Sequence, residues 1–292
     1  ALLGCGDRRV DDATLGNLVY APSEEAITID VDRAATEVSE LVRALALPHA
    51  QIGEGLGSHR VRASSIVTVT REDIEVSKVA EETLIELDGD GGFRATSDND
   101  HDYGRHAIYA GGTLYLRPRF GKYHRRAPAS REEPGQIRNE MFGAVSAYFE
   151  LLYNRAELSD RGTATVGGRT TRRIDISRAP TASERPAQTL THKSWRNTVT
   201  VEEVTGQVSL DLETGAPIAA TIAGTVSYVK EGKSFKMSLE ATHAISDIGE
   251  VPAVEAPKLE DTVTAPTVLR EVEHQRQLLE GLAPAGDAKG AK

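Results

Sequence analysis

Lys233–Ser246 alternates: Phe235, Met237, Leu239 and Ala241 hold odd positions, while Lys236, Ser238, Glu240 and Thr242 hold even ones. Successive side chains of a strand point to opposite faces, so this stretch predicts a long strand with one apolar and one wet face. The same period runs through Val61–Val69, where Val61, Ala63, Val67 and Val69 share the odd positions. Shorter runs predict strands at Thr83–Leu87, His106–Tyr109, Thr113–Arg117, Thr163–Val166, Thr171–Ile176, Thr198–Glu203, Gln207–Leu212 and Ala219–Tyr228. Turn signals separate them at Asp88–Gly92, Gly111-Gly112, Gly167-Gly168 and Glu213–Pro217. One-sided strands in such succession require an antiparallel sheet with a single buried face. Aromatic residues are only 5% of the chain, so that face must be largely aliphatic.

Two segments carry the helical period and are available to cover it. Asp30-Val31-Asp32 supplies cap candidates for a helix running to about Leu47, with Ala34, Ala35, Val38, Leu41, Val42 and Leu45 on one side and Pro48 as its stop. Gln136–Leu152 places Ile137, Met141, Val145, Tyr148 and Leu152 on one stripe, with Pro134 just ahead. The expected fold is α+β: a strongly curved antiparallel sheet, or half-barrel, with helices packed in or over its concave face. Ala179–Lys193, with two prolines and many polar residues, reads as a mobile insertion. Three spans follow: a tether over residues 1–28, the half-barrel domain over 29–250, and over 251–292 a proline-punctuated linker, a short amphipathic helix (Val268, Leu269, Val272, Leu279, Leu282) and a polar tail.

The single cysteine is fifth in the sequence Ala1-Leu2-Leu3-Gly4-Cys5. One thiol makes neither an intrachain disulfide nor a multi-cysteine metal site. The stretch reads as the end of an export signal, with an upstream part expected to be missing. Leu2-Leu3-Gly4-Cys5 resembles the lipobox of bacterial lipoproteins, with Leu3 where a smaller residue is commoner. The resemblance implies acylation of Cys5, and several acyl chains at about 0.8 kcal/mol per buried methylene make a durable membrane anchor. Gly6 stands where an aspartate would favour inner-membrane retention, so a periplasm-facing place on the outer membrane is expected. No stretch is long and apolar enough to span a bilayer.

Net charge is −10, which argues against nucleic-acid binding. Against that grain runs a basic cluster of Arg117, Arg119, Lys122, Arg125, Arg126 and Arg131. Arg117, Arg119, Arg125 and Arg126 are candidate contacts for anionic head groups; the plainer alternative is a solvated sheet edge. Gly53-Glu54-Gly55-Leu56-Gly57 does not follow a strand and open a helix, as a dinucleotide loop must, and reads as a turn. Asp98–Gly104 gathers oxygen ligands but lacks the glycine and glutamate of a calcium loop, so it too reads as a turn. His101 and His106, five apart, fall on opposite faces of an extended stretch. No G-x-S-x-G elbow is present, nothing singles out a carboxylate pair, and no cofactor, metal site or enzymatic activity is expected.

The order of helix, long strands, helix and further strands resembles the LolA/LolB-like lipoprotein carriers and receptors, a half-barrel shared by mycobacterial glycolipid-binding lipoproteins. Tyr109–Arg117, Gly167-Gly168-Arg169 and Val208–Pro217 add hairpins of the kind those folds use. The resemblance covers about residues 30 to 250 and implies an apolar cavity for acyl chains, with no chemistry. No ligand-binding residue can be carried over from it. Alternation alone puts Val61, Ala63, Val67, Val69, Ile85, Leu87, Phe235, Met237 and Leu239 on the cavity face, and a register slip of one residue would invert the set. The expected function is a Cys5-anchored lipoprotein that binds or carries lipid or lipoprotein acyl chains, for which Met237→Asp should abolish lipid retention without unfolding. The alternative is a structural or adaptor lipoprotein in an envelope complex, its concavity filled by Gln136–Leu152.

Overall fold

The computed structural model describes residues 27–264. Cys5, nearly all of the tether and the amphipathic segment Val268–Leu282 lie outside the described residues. The strands are β1 (His59–Arg71), β2 (Ile74–Leu87), β3 (Phe93–Asn99), β4 (Gly104–Ala110), β5 (Thr113–Pro118), β6 (Tyr123–Arg126), β7 (Ala156–Val166), β8 (Arg169–Arg178), β9 (Thr200–Asp211), β10 (Pro217–Lys230), β11 (Lys233–Ser246) and β12 (Thr262–Thr264). They form one sheet in the order β12-β6-β5-β4-β3-β2-β1-β11-β10-β9-β8-β7. Two antiparallel meanders, β1–β6 and β7–β11, join through an antiparallel β1–β11 pair that sets Val61 against Ile245, Val67 against Leu239 and Val69 against Met237. Among the described residues only the β12–β6 pair is parallel. The two edge strands β12 and β7 do not meet, so the curved sheet stays open, as the alternation led us to expect.

Helices α1 (Val31–Ala34), α2 (Val38–Leu45) and α3 (His49–Leu56) precede the sheet, and α4 (Glu133–Phe142) and α5 (Ala144–Leu152) link its halves. The expected single helix to Leu47 is thus broken. Glu37 is extended (φ −113°, ψ 114°) and separates α1 from α2. Pro48 stops one helix but also caps the next, because its φ of −60° and missing N–H suit a helix start. The glycine-rich stretch read as a turn is mostly α3, and only Gly57, at φ 71°, ends it. Gly53 is needed inside the helix: a Cβ there would lie 2.6 Å from Leu87 Cδ2, so its absence lets α3 lie on the sheet. The second helix starts earlier than expected, with Pro134 inside its first turn, and is jointed at Gly143.

Other boundaries moved for local reasons. The first half of β2 escaped notice because its hairpin turns on Glu72 and Asp73 at positive φ, with no glycine signal, and because Ile74 through Lys78 are exposed on both faces. The expected strands at 198–203 and 207–212 are one strand, β9. Gly206 does not break it; a Cβ there would press within 2.5 Å of Thr221 O, so the glycine allows close cross-strand approach. The supposed mobile insertion has a defined course. It is held by Arg155 Nη1 to Pro180 O (2.6 Å), Arg185 Nη2 to Leu151 O (2.5 Å) and Arg196 to Glu150 (3.0 Å), and it ends in a 3-10 stretch, Thr191–Thr198. Past residue 250 the chain returns along the sheet: Val251 is buried and Val254 N donates to Asp88 Oδ2 (2.7 Å) before β12 is added at the edge.

Candidate functional site

Antiparallel partners share a face, so the register assigns the sequence-predicted residues directly. Val61, Ala63, Val67 and Val69 of β1 face the same side as their partners Ile245, His243, Leu239 and Met237 of β11 and, through β2, Ile85. Leu87 and Phe235 continue the two series. All nine candidates therefore stand on one face, and that is the face the helices cover.

Cover is uneven along the strands. Val61, Ile85, Leu87, Met237 and Leu239 are buried, whereas Ala63, Val67, Val69 and Phe235 are half-buried. The helix α5 explains the pattern. Tyr148 hydrogen-bonds Ser65 of β1, and burial, with this bond opposing and Glu81 adding, raises its phenol. One turn on, Leu152 sits on Gly224 of β10, where a Cβ would lie 2.6 Å from Leu152 Cδ2. Gly224 belongs to a row running Val204–Gly224–Leu239–Val67–Val79 across five strands. The next rows toward the hairpin tips, Val201–Val226–Met237–Val69 and Tyr228–Phe235, lie past the end of α5. Over them the 3-10 stretch brings Trp195, 4.8 Å from the Tyr228 ring, which stacks on Phe235 at 5.4 Å. Tyr228 is itself raised by burial. The result is a partly covered apolar trough beyond the helical plug, in which Val69, Tyr228 and Phe235 are half-buried while Val201, Val226 and Met237 are buried, with Ile74 exposed at the tip.

Two cavities of about 310 Å³ each lie elsewhere. One sits between α3 and the β9–β10 turn, lined by Leu47, Ile52 and Thr214; the other dents the opposite, convex face at Ile66, Ala223 and Ser238.

The four candidate arginines do not border the trough. Arg117 is on β5, Arg119 just past its end, and Arg125 and Arg126 are on β6; β5 is four strands from β1, about 20 Å along the sheet, and β6 lies one strand further. Arg117 donates to His106 Nδ1 (3.0 Å) and lies over the Tyr123 ring, and Arg119 donates to Asn99 O (2.7 Å) beside Asp98. Arg126 forks onto Glu133, and Arg125 Nε donates to Thr264 Oγ1 (2.7 Å). Their charges thus fasten β4, β6, α4 and β12 in place. In the acidic turn, Asn99 Oδ1 accepts from the backbone N–H of His101 and Tyr103, and Asp98 accepts from His106.

At the base of the same face, sequence reading missed a polar group. His49 of α3, His59 of β1 and His243 of β11 are all buried around Phe142, the last residue of α4. The Phe142 ring lies 5.2 Å from His49 and 5.0 Å from His243. His59 Nδ1 donates to Gly57 O (2.8 Å), so its Nε2 accepts from His49 Nε2–H at 3.1 Å. His243 Nε2 donates to Pro217 O (2.8 Å). Among the described residues, His49 Nδ1 and His243 Nδ1 have no partner. Burial, then the charges of His59, Arg138 and His243, holds His49 well below the usual imidazole range. Burial likewise lowers His59, and brings His243 down to about 4. Arg138 of α4, over the Phe93 ring, is lowered by burial to about 10. One signal was available: His59 and His243 stand at inward, odd positions of otherwise apolar strands.

The sequence matches no protein-family model and no curated protein sequence. Among solved structures, the chain is similar to the lipoprotein LppX of Mycobacterium tuberculosis at 13% identity and a TM-score of 0.28, over 73% of this chain and 99% of that one. It is similar to a LolA superfamily protein of Nitrosomonas europaea at 10% identity and a TM-score of 0.22, over 74% and 97%. A third match is the MucA/MucB complex structure of Pseudomonas aeruginosa, at 12% identity and a TM-score of 0.22, over 77% of this chain and 59% of that one. The fold expected from the resemblance, an open curved antiparallel sheet with helices over its concave face, is the one the structure shows.

Proposed function

We propose that this protein is a cell-envelope lipoprotein, held to the membrane through Cys5 and facing the periplasm at the outer membrane, that takes an acyl chain onto the concave face of its sheet without any covalent step. The observation that carries this reading is the continuation of the apolar face past the end of α5, where Val69 and Phe235 stay half-buried, Tyr228 stacks on Phe235 and Trp195 lies against Tyr228. An acyl chain laid there leaves water at about 0.8 kcal/mol per methylene. A longer chain would take the place of Leu152 and Phe149, exchanging one apolar surface for another. Such an exchange is close to balanced, which suits a carrier that must also release its cargo.

A second reading, a structural or adaptor lipoprotein, is favoured by the fit of Leu152 against Gly224, which fills the middle of the concavity. Native mass spectrometry of the protein taken from its membrane separates the two. Release of about one lipid per chain supports the carrier, whereas empty chains that also fail to bind a fluorescent fatty acid at micromolar concentration support the adaptor. Met237 is only 8% exposed, so an aspartate there would be a buried charge and would unfold the chain. Val69→Asp is the better variant, expected to keep the fold and lose the probe.

A further inference from the structure

The base of the concave face holds three imidazoles, two of which, His59 and His243, stand at strand positions where alternation calls for apolar side chains. Their hydrogen bonds fix the neutral tautomers. His59 spends its Nδ1–H on Gly57 O, His49 its Nε2–H on His59, and His243 its Nε2–H on Pro217 O. The two ring nitrogens left over, Nδ1 of His49 and Nδ1 of His243, are therefore lone pairs. Buried acceptors without a donor are somewhat commoner than buried N–H groups without an acceptor, and these are the atoms at which His49 and His243 would gain a proton. The charged and titratable groups facing the cluster are His49 and Glu54 from α3, His59 from β1, His243 from β11 and Arg138 from α4. Four of the five are cationic when protonated, so each added proton meets repulsion.

Position gives this chemistry a mechanical outlet. Phe142 is in ring contact with both His49 and His243, and directly after it comes Gly143, the joint between α4 and α5. Helix α5 then runs up the concave face to Leu152. We propose that the His49–His59–His243 cluster is an acid-triggered latch on the helical plug: protonation expels Phe142 and the Gly143 joint from the base of the concavity and releases α5 from the sheet. The use of the latch, to open the concave face to an acyl chain, rests on the proposed function; the latch itself does not.

The test is hydrogen exchange on the full chain, corrected for intrinsic rates, at pH 7.5 and pH 5.0. With His243 at about 4 in the closed state and an ordinary value of 6.5 in the open one, this residue alone raises the opening equilibrium about 30-fold at pH 5.0 and about 300-fold once the pH is well below 4. Amides of residues 133–152 should lose protection at pH 5.0 while those of β10 and β11 keep theirs. In the His49→Gln/His243→Gln variant the pH dependence should flatten, since glutamine can still donate but does not titrate. An unchanged pH response in that variant overturns the latch. Should the variant not fold, imidazole ¹⁵N titration of the unaltered protein decides: both rings charging near pH 6.5 while residues 133–152 stay protected is equally fatal to it. A fluorescent fatty acid separates latch from function. Loss of plug protection with no probe bound at either pH leaves the latch and removes the acyl-chain reading, whereas probe binding with plug protection independent of pH does the reverse.

Discussion

The two ends of the concave face are built from the same strands and the same alternation, yet they differ in state. At the base, Val61, Ile85, Ile245 and Phe93 are fully buried beneath α2–α4 and the histidine cluster. At the tips, Val69 and Phe235 are half-buried past the end of α5, with Trp195 against Tyr228, which stacks on Phe235. A strand's period sets which side chains share a face. How deeply each is buried depends on what lies across from it, and here that changes where one helix ends. The base carries the stability of the fold, and the tips hold the half-buried surface on which we propose the acyl chain lies.

The contrast can be broken most forcefully through the plug. Phe149, 1% exposed on α5, should cost about 3–5 kcal/mol as alanine, while Phe235→Ala at the tips should cost about 1–2 kcal/mol; denaturant midpoints would show the gap, and equal losses would erase it. Acid should act next. A buried neutral histidine binds its proton more weakly in the folded chain, so the unfolded chain holds more protons as the pH drops. Stability should be full above about pH 6.5 and fall through the window down to about 4. The loss should be on the order of 3 kcal/mol from His243 alone, and a flat melting temperature across that window would contradict its burial as a neutral ring.

Gly224→Ala sets a Cβ 2.6 Å from Leu152 and 2.7 Å from Glu203 O, a clash with backbone on one side. Overpacking of this kind costs about 1–3 kcal/mol, and hydrogen exchange should place the damage in α5 rather than in the base. The finest test uses one residue type on one strand. Val61→Ala should destabilise by about 2 kcal/mol and Val69→Ala by less than about 1 kcal/mol, because Val61 is fully buried and Val69 is not. For fatty-acid binding the order should invert, with Val69→Ala weakening the probe and Val61→Ala leaving it alone.

Much of the sheet was legible in the sequence because β alternation is local: Phe235, Met237 and Leu239 announce their common face without reference to any partner. Strand ends were less legible where the turn used Glu72-Asp73 instead of glycine, and where Gly206 lay inside a strand instead of ending it. The candidate arginines were visible as a cluster, but their partners Glu133, His106 and Thr264 come from other elements, and only folding brings them together.

By itself, then, the sequence determined an antiparallel sheet with one aliphatic face, the membership of that face, and helices available to cover it. Tertiary structure alone decided that β1 pairs with β11, that α5 stops at the Gly224 row and leaves a trough beyond it, and that His49, His59 and His243 meet around Phe142. The reason is range. Alternation is written in neighbours two residues apart, whereas the trough and the histidine cluster are made of residues as much as 194 positions apart, whose encounter depends on the packing of the whole chain.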